Sequence, residues 1–515
     1  AKQQGIKVLF NEPDRVQQFT FDAAGLFADL SKTHITAELV EHYTDMANEV
    51  GFADKREQQF AGARINVTED RSVLHTMLRD TACSQVAPLN AEDQVAAQRA
   101  QQEFLKQVDL LRNKHLQSGE PVKSIVHIGI GGSSLGPQLL YEALAGLGNE
   151  VEVHFVSNID AHEILAVLSK CDPAATLIFG VSKTFTTEET LMNIHTAEKW
   201  MSAANAELFK ERFFAITASH ENASKFGVQA DNIIVFPEWV GGRYSIWSSV
   251  SLSVALVLGR EAIESFLSGA AHMDAEFYSR ELGQNLPFLL ASLDHFYCNY
   301  FNAGSKATFA YDYRLTSLVP YLQQLETESN GKDRDLNGDP VQMHTSPVVW
   351  GGTGTDMQHS TFQLIHQGTQ FIPVEFILVK RADHDLNNHH NTLLSNGVAQ
   401  AAALLTGRTL AEVEALPENQ GLADRVKKSK VFAGNKPSTT FVLESLTPYS
   451  LGALLALYEH RTFCGGVLSS INSFDQMGVE LGKKLAKDIE PVLSGDAEDK
   501  GFDASTRSLL ARLKA

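Results

Sequence analysis

The sequence predicts an α/β protein with two doubly wound domains, each built on a parallel-rich sheet covered by helices, and with helical segments at both ends. Three observations favour this class. The chain has 515 residues, more than one hydrophobic core usually holds. Short β-branched runs alternate with helix-like stretches, which is typical of parallel sheets buried on both faces. The alternation occurs twice along the chain, so we expect two such sheets.

The first 120 residues or so are expected to be mostly helical. Polar and charged residues are interleaved there with Leu, Val and Phe. The stretch 87–114 is rich in Ala, Gln, Glu and Leu at helical spacing, as expected of a surface helix.

A first series of β-branched runs begins at residue 124 and closes at residue 236. The predicted strands are 124–130, 151–156, 176–181, 213–217 and 232–236. Most of them are followed by helix-like sequence, so we expect one parallel sheet with its ligand at the carboxyl ends of the strands.

A long helical stretch over 244–301 separates this series from the second one. The second set of predicted strands is 308–311, 348–350, 371–379 and 439–443. Thr447, with a proline after it, fits the start of an apolar helix over 449–464, and the two glycines that follow would end that helix. We therefore predict a smaller domain over 105–265 and a larger one formed by 1–104 and 266–515.

Composition and charge exclude several classes of function. A formal net charge of −19 argues against nucleic acid or an anionic membrane as the main partner, because both require a basic face. The longest apolar stretches, around 250–258 and 286–293, are too short to span a bilayer. The first 12 residues do not resemble a signal peptide. Four cysteines, none in a CxxC pair, suit a reducing compartment, so we expect a cytoplasmic protein.

A glycine-rich turn, GIGGSSLGP at 129–137, lies between a predicted strand and a predicted helix. Glycines permit tight turning, and a helix N-terminus presents free N–H groups to an anion, which makes this turn a candidate anion-binding element. No Lys-Ser/Thr pair follows Gly136, so the turn is not a P-loop. A purely structural turn remains the alternative.

A hydroxyl-rich turn follows the strand 176–181 and opens the next helix. Its candidate phosphate ligands are Ser182, Lys183, Thr184, Thr186 and Thr187. Phosphate binding requires this density of donors and a cation at a helix start. The alternative is a capping box formed by Thr186 and Glu189.

With these two turns and several further segments, the sequence strongly resembles the glucose-6-phosphate isomerase family. The segments that carry the resemblance run in family order and are GIGGSSLGP (129–137), SKTFTT (182–187), VGGRYSIWS (240–248), ESNGK (328–332), GTDMQH (354–359), QLIHQG (363–368) and FDQMGVELGK (474–483), preceded by NVTEDRSVLHTMLR (66–79). The chain departs from the family pattern at Ser134, Met357 and Met477, and none of these positions carries a proposed catalytic group.

The resemblance implies two sugar-isomerase-type (SIS) α/β domains, a homodimer, and an aldose–ketose isomerisation without metal or nucleotide cofactor. It implies that glucose 6-phosphate and fructose 6-phosphate are interconverted. Ser182, Lys183, Thr184 and Thr187 would hold the phosphate, with Gly132 and Ser133 nearby. The remaining implied site residues are Glu328, Gln324, Arg243, Gly242, His359, Lys483 and Gln476.

The residue types suit that chemistry. Glu328 would move the proton between C2 and C1, with Gln324 on the same helical face, and partial shelter would make the carboxylate a stronger base. Arg243, next to Gly242, would stabilise the enediolate with a permanent charge. His359, implied to come from the partner subunit, and Lys483 would open the sugar ring.

Several alternatives stay open. The same loops could serve a non-catalytic phosphosugar sensor or another phosphosugar isomerase, and Lys483 could form a Schiff base or merely pair with Glu480. The histidine-rich patch His384–His390 lacks the spacing of a helical zinc pair, so we expect no metal site.

Overall fold

The computed structural model describes residues 5–79, 87–117 and 122–514, and Cys83 falls outside these ranges. Residues Ala1–Ser473 form one unit, which contains both sheets, and Phe474–Ala515 form a second, helical unit. The strands are β1 (Thr20–Ala23), β2 (Leu26–Asp29), β3 (Ser124–Ile128), β4 (Glu152–Val156), β5 (Thr176–Val181), β6 (Phe213–Thr217), β7 (Ile233–Val235), β8 (Ser305–Tyr311), β9 (Val348–Thr353), β10 (Val374–Arg381) and β11 (Ser438–Ser445).

Helices connect and cover the strands. The α-helices, numbered α1 to α21 in chain order, are Ile6–Leu9, Arg15–Gln18, Ala37–Glu49, Phe52–Ala61, Ala91–Leu111, Leu135–Leu144, Ala161–Leu168, Glu188–Ala204, Leu208–Arg212, His220–Phe226, Leu252–Leu258, Arg260–Ser279, Leu286–Tyr300, Leu318–Leu322, Gly354–Gln367, Asn387–Thr406, Leu410–Ala415, Asp424–Ser429, Pro448–Leu468, Glu480–Ser494 and Ala504–Leu513. Among the helices so described, none combines the length and the apolar character that crossing a bilayer requires.

A five-stranded parallel sheet has the order β4-β3-β5-β6-β7. Strands β3, β5 and β6 are buried along their whole length, as their mostly apolar sequences lead one to expect. Since β3 and β5 are neighbours, the loops at their carboxyl ends lie at the same edge of the sheet.

The other sheet is six-stranded, in the order β1-β2-β11-β10-β8-β9. Strands β8, β9, β10 and β11 are parallel, whereas the hairpin β1–β2 joins β11 in antiparallel fashion. The expectation of a mostly helical N-terminal segment is therefore wrong for this hairpin. Its strands have only four residues each, too few for a clear two-residue alternation.

The apolar helix α19 is almost completely buried. It begins as predicted, with Thr447 at its N-cap, but it continues through Gly465 and Gly466 to Leu468. These glycines serve close packing rather than termination, because a Cβ at Gly466 would collide with the Ser473 hydroxyl. The predicted helical stretch 244–301 is likewise divided, with breaks at Gly259, whose φ is +85°, and around Asn285.

The α/β class with parallel-rich sheets is confirmed. Strands β5 and β6 have the predicted bounds, and the other predicted strands differ by a few residues at their ends. The division of the chain at residues 104 and 265 stays a prediction.

Candidate active site

The glycine-rich turn lies between β3 and α6, with residues Gly131–Ser133 in a 3-10 turn. Gly131 has a φ of +58°, which favours glycine. A Cβ at Gly132 would collide with the backbone of Gly242, so the two loops touch through their glycines. The Ser245 hydroxyl joins them, because Oγ lies 2.7 Å from the carbonyl oxygen of Gly242 and 3.2 Å from that of Gly132.

His127, on β3, supports this turn from the interior of the sheet. Its Nε2 lies 2.6 Å from the carbonyl oxygen of Ser133, and its Nδ1 lies 2.7 Å from Ser253 Oγ. Complete burial lowers the pKa of His127 to about 4. The ring is therefore neutral near pH 7, with Nε2–H donating to the carbonyl and Nδ1 accepting from the serine hydroxyl.

The hydroxyl-rich turn follows β5. Ser182 Oγ lies 3.0 Å from Thr187 Oγ1 and accepts a hydrogen bond from the backbone N–H of Phe185 at 3.1 Å. Phe185 has a φ of +52°, so the backbone bends sharply at this position. Thr184 Oγ1 lies 2.7 Å from Thr186 Oγ1. The turn thus gathers four hydroxyl groups at the start of α8.

The capping alternative for these hydroxyls does not hold. The N-cap of α8 is Thr187, and its side chain makes no capping hydrogen bond. The first N–H groups of α8 are therefore not occupied by the hydroxyl of the N-cap, which suits an anion-binding turn.

Lys183 links the hydroxyl-rich turn to the loop that carries Arg243. Its Nζ donates to the carbonyl oxygen of Val240 at 3.0 Å. Burial, and then the charge of Arg71, lowers the pKa of Lys183.

Arg243 is buried, and three hydrogen bonds that its guanidinium donates hold it in place. Its Nη1 donates to Glu328 Oε1 at 2.8 Å, its Nε to Ser329 Oγ at 2.6 Å, and its Nη2 to the carbonyl oxygen of Ser473 at 2.6 Å. Tyr244 packs beside it, with the guanidinium carbon 5.4 Å from the ring centroid. The cation therefore has one position, defined by partners on three sides.

Glu328 ends a π-helical turn, Gln323–Glu328. While Oε1 accepts from Arg243, Oε2 accepts from Gln324 Nε2 at 2.9 Å. The Glu328 side chain is 18% exposed, so the carboxylate is sheltered but open to a small molecule. Gln324 also lies beside Gly131, because its Nε2 is 3.1 Å from the position that a Cβ atom on Gly131 would occupy.

Buried side chains hold the loop that carries Arg243 in place. Residues Gly242–Trp247 form a 3-10 segment whose Trp247 is buried. Trp247 Nε1 donates to Glu459 Oε1 at 2.8 Å, and the guanidinium of Arg79 lies 4.2 Å from the Trp247 ring centroid. The segment 66–79, which carried part of the resemblance but no assigned role, thus supplies support for this loop.

Three further predicted site residues belong to α15 or to the second unit. His359 is exposed on α15 in this single chain. Gln476 and Lys483 belong to the unit Phe474–Ala515 and are exposed. Lys483 Nζ lies 3.4 Å from Glu480 Oε1, which is the pairing named above as an alternative for this lysine.

Ser329 and Ser473 contact the guanidinium and were missed from the sequence. Ser329 directly follows Glu328 in the ESNGK segment, so the sequence could have suggested that it lies at the site. Ser473 acts through its carbonyl oxygen, which no side-chain pattern reveals.

The histidine-rich patch has no convergent set of ligands. The ring centroids of His384 and His390 are 6.2 Å apart, and His390 Nε2 lies 3.0 Å from the carbonyl oxygen of Lys380. Within residues 5–79, 87–117 and 122–514, no group of three or more His, Cys, Asp or Glu side chains could hold a metal ion.

Comparison with known proteins shows which family this chain resembles. A model of the phosphoglucose isomerase family matches residues 29–510. A glucose-6-phosphate isomerase from Rhizorhabdus wittichii is 44% identical over 98% of this chain and 95% of its own. One from Cereibacter sphaeroides is 41% identical over 100% of this chain and 97% of its own.

A solved structure agrees with the sequence relatives. The crystal structure of a glucose-6-phosphate isomerase from Chlamydia trachomatis has a TM-score of 0.84 and 32% identity, covering 97% of this chain and 94% of that one. The chain belongs to the phosphoglucose isomerase family.

Proposed function

We propose that this protein interconverts glucose 6-phosphate and fructose 6-phosphate. The observation that carries the proposal is the Glu328 carboxylate, held between Arg243 and Gln324. Two loops suited to anions, at the carboxyl ends of β3 and β5, lie at the same sheet edge. Membership of the family supports this reaction over the alternative of a non-catalytic sensor.

The phosphate group is bound by the hydroxyl-rich turn. Its ligands are Ser182, Lys183, Thr184 and Thr187, with Gly132 and Ser133 on the adjacent turn. The four hydroxyls of the turn already lie within hydrogen-bonding distance of one another in pairs, so an anion can replace those contacts with little rearrangement.

Glu328 moves the proton. Its carboxylate removes the C2 proton of the open-chain sugar and returns it to C1, through an enediolate, while one proton moves from the C2 hydroxyl to the C1 oxygen. Arg243 stabilises the negative oxygen of that intermediate. Because its N–H groups are already held in position, the site does not have to reorganise during the reaction. Gln324 orients the second carboxylate oxygen.

Ring opening comes before the isomerisation. His359 and Lys483 carry the two protons that this step requires, and Gln476 contributes to the pocket. His359 comes from the partner subunit of a homodimer, which fits its exposure in the single chain. Cys171, Cys298 and Cys464 are free thiols, which supports the cytoplasm as the compartment.

The test follows the conversion of fructose 6-phosphate to glucose 6-phosphate with a coupled dehydrogenase. We expect Glu328→Gln to lower kcat about 10²- to 10⁴-fold, because the general base is lost, and to leave substrate binding largely intact. The matched control is Glu207→Gln, which removes an exposed carboxylate that pairs with Lys210, and it should keep full activity. A wild-type protein that binds phosphosugars without turnover would refute the proposal.

A further inference from the structure

A buried ion network lies beneath the π turn that ends at Glu328. Lys306, on β8, is 1% exposed, and its Nζ lies 2.6 Å from Glu326 Oε2 and 3.0 Å from Asp294 Oδ2. Glu326 belongs to the same π turn as Glu328 and is 5% exposed. One lysine thus ties that turn to β8 of the six-stranded sheet and to α13.

Arg461, on α19, completes the network. It makes two hydrogen bonds of 2.7 Å to Asp294 and a further one to Glu375 on β10. Burial opposes the charge of Asp294, but Arg461 and Lys306 hold its pKa below the usual value. Burial raises the pKa of Glu326, and Lys306 opposes that effect, so the charge of Glu326 depends on this lysine.

The geometry of the π turn points its two glutamates in different directions. Its wide i→i+5 geometry is rare and occurs mostly as single turns at functional sites. Residues two apart point to roughly opposite sides of a helical turn. An inward-facing Glu326 bound to β8 therefore leaves Glu328 facing Arg243.

We propose that Lys306 and Glu326 are positioning residues, which fix the π turn Gln323–Glu328 to β8 so that the Glu328 carboxylate stands against Arg243. This inference rests on the proposed function. Neither residue touches the substrate, and both act through Glu328.

The experiment compares Glu326→Leu with Glu375→Leu in the full-length protein. Both glutamates are buried in the same network. Loss of Glu326 leaves Lys306 paired with Asp294, and loss of Glu375 leaves Arg461 paired with Asp294, so the two variants are matched in charge. Only Glu326 belongs to the π turn.

We expect Glu326→Leu to lower kcat about 10- to 100-fold, the effect of a displacement of about 1 Å in a catalytic group, with KM within about two-fold of the wild type. Glu375→Leu should keep its kcat within about three-fold even if its thermal unfolding midpoint falls equally. In D2O, glucose 6-phosphate made from fructose 6-phosphate by Glu326→Leu should carry more solvent deuterium at C2, because a carboxylate that is no longer held exchanges its proton before returning it.

Two further variants separate positioning from stability. Glu326→Gln keeps an acceptor for Lys306 Nζ and should recover most of the lost kcat. If Glu326→Leu does not fold, Lys306→Met/Glu326→Leu removes both charges, and its kcat should remain low.

Equal kcat losses in Glu326→Leu and Glu375→Leu would overturn the inference, as would full recovery of kcat in the double variant. These outcomes are measured against an active wild type. A wild type without isomerase turnover would instead refute the proposed function, so the two failures are distinguishable.

Discussion

His127 shows how one buried side chain shapes a binding loop through a hydrogen bond to the loop backbone. The ring joins the carbonyl oxygen of Ser133 to the hydroxyl of Ser253, and only its neutral form can make both bonds. Its pKa of about 4 when folded lies below the ordinary value of 6.5, because burial excludes water from the ring.

This shift predicts acid sensitivity within a defined pH window. Between pH 6.5 and about 4 the unfolded chain binds a proton at His127 that the folded protein does not bind, so stability falls as the pH falls. Below about pH 4 both states are protonated and the loss levels off. Relative to His127→Gln, the wild type should lose about 2 kcal/mol more unfolding free energy between pH 7 and pH 5.

Urea denaturation of the two proteins at these two pH values measures the difference. His34, His115 and His295 also have pKa values lowered to about 4, and both proteins retain them, so their contributions cancel. Parallel pH dependences would show that His127 is not the group responsible.

At the residue scale, the sequence was sufficient for side chains within recognisable segments. Arg243, Glu328 and Gln324 were all chosen from the sequence, and the structure brings them together. It was not sufficient for Lys306, whose partners Asp294 and Glu326 lie on other elements. The residues next to a lysine in a predicted strand do not indicate whether its side chain is buried.

Among the elements, the turn after β3 and the loop that carries Gly242 meet through a backbone contact that leaves no room for a side chain. The glycine at position 132 lets one loop rest on the backbone of Gly242. Arg243 directly follows Gly242 in the chain. The distance between the two loops therefore determines the position of the Arg243 backbone, from which its side chain extends to the site.

Gly132→Ala tests this contact. The added methyl group would force the loops apart, at a cost of about 1–3 kcal/mol in unfolding free energy, and kcat/KM should fall at least about 10-fold. Gly146→Ala is the matched control, since a Cβ there would meet nothing within 4 Å. Thermal unfolding and the isomerase assay measure both effects, and equal behaviour of the two variants would contradict the explanation.

Element prediction succeeded where the apolar run was long and completely buried, as in β5 and β6. It failed at the hairpin β1–β2, whose edge position and short strands depend on a partner far along the chain. It also failed at the end of α19, because glycine at a close helix contact resembles glycine at a helix terminus.

For the whole molecule, the exposure of His359 is the feature that bears on assembly. A histidine that acts in ring opening must reach a site, and in a symmetric dimer each subunit can supply the other. The domain division was predicted from the two series of strands, whereas the dimer is not visible in the residue pattern and rests on the resemblance alone.

Mixing two inactive variants tests the shared site. In a dimer of one His359→Ala subunit and one Glu328→Gln subunit, one site has both groups intact and the other has neither. Random pairing makes about half of the dimers mixed, so we expect about a quarter of the wild-type activity. The control is each variant alone, which should stay inactive.

Light scattering provides the independent check on assembly. A mass near that of one 56.5 kDa chain would contradict the dimer. No recovery of activity after proven subunit exchange would show that His359 serves its own subunit.

The hairpin β1–β2 has a consequence for the order in which the chain folds. Its sheet partner β11, which pairs Leu443 with Leu26, leaves the ribosome among the last elements. An isolated two-stranded hairpin is only marginally stable, so this one waits through most of synthesis for its partner. Strands β3–β7 all emerge between residues 124 and 235, and their sheet can form while the six-stranded sheet is still incomplete.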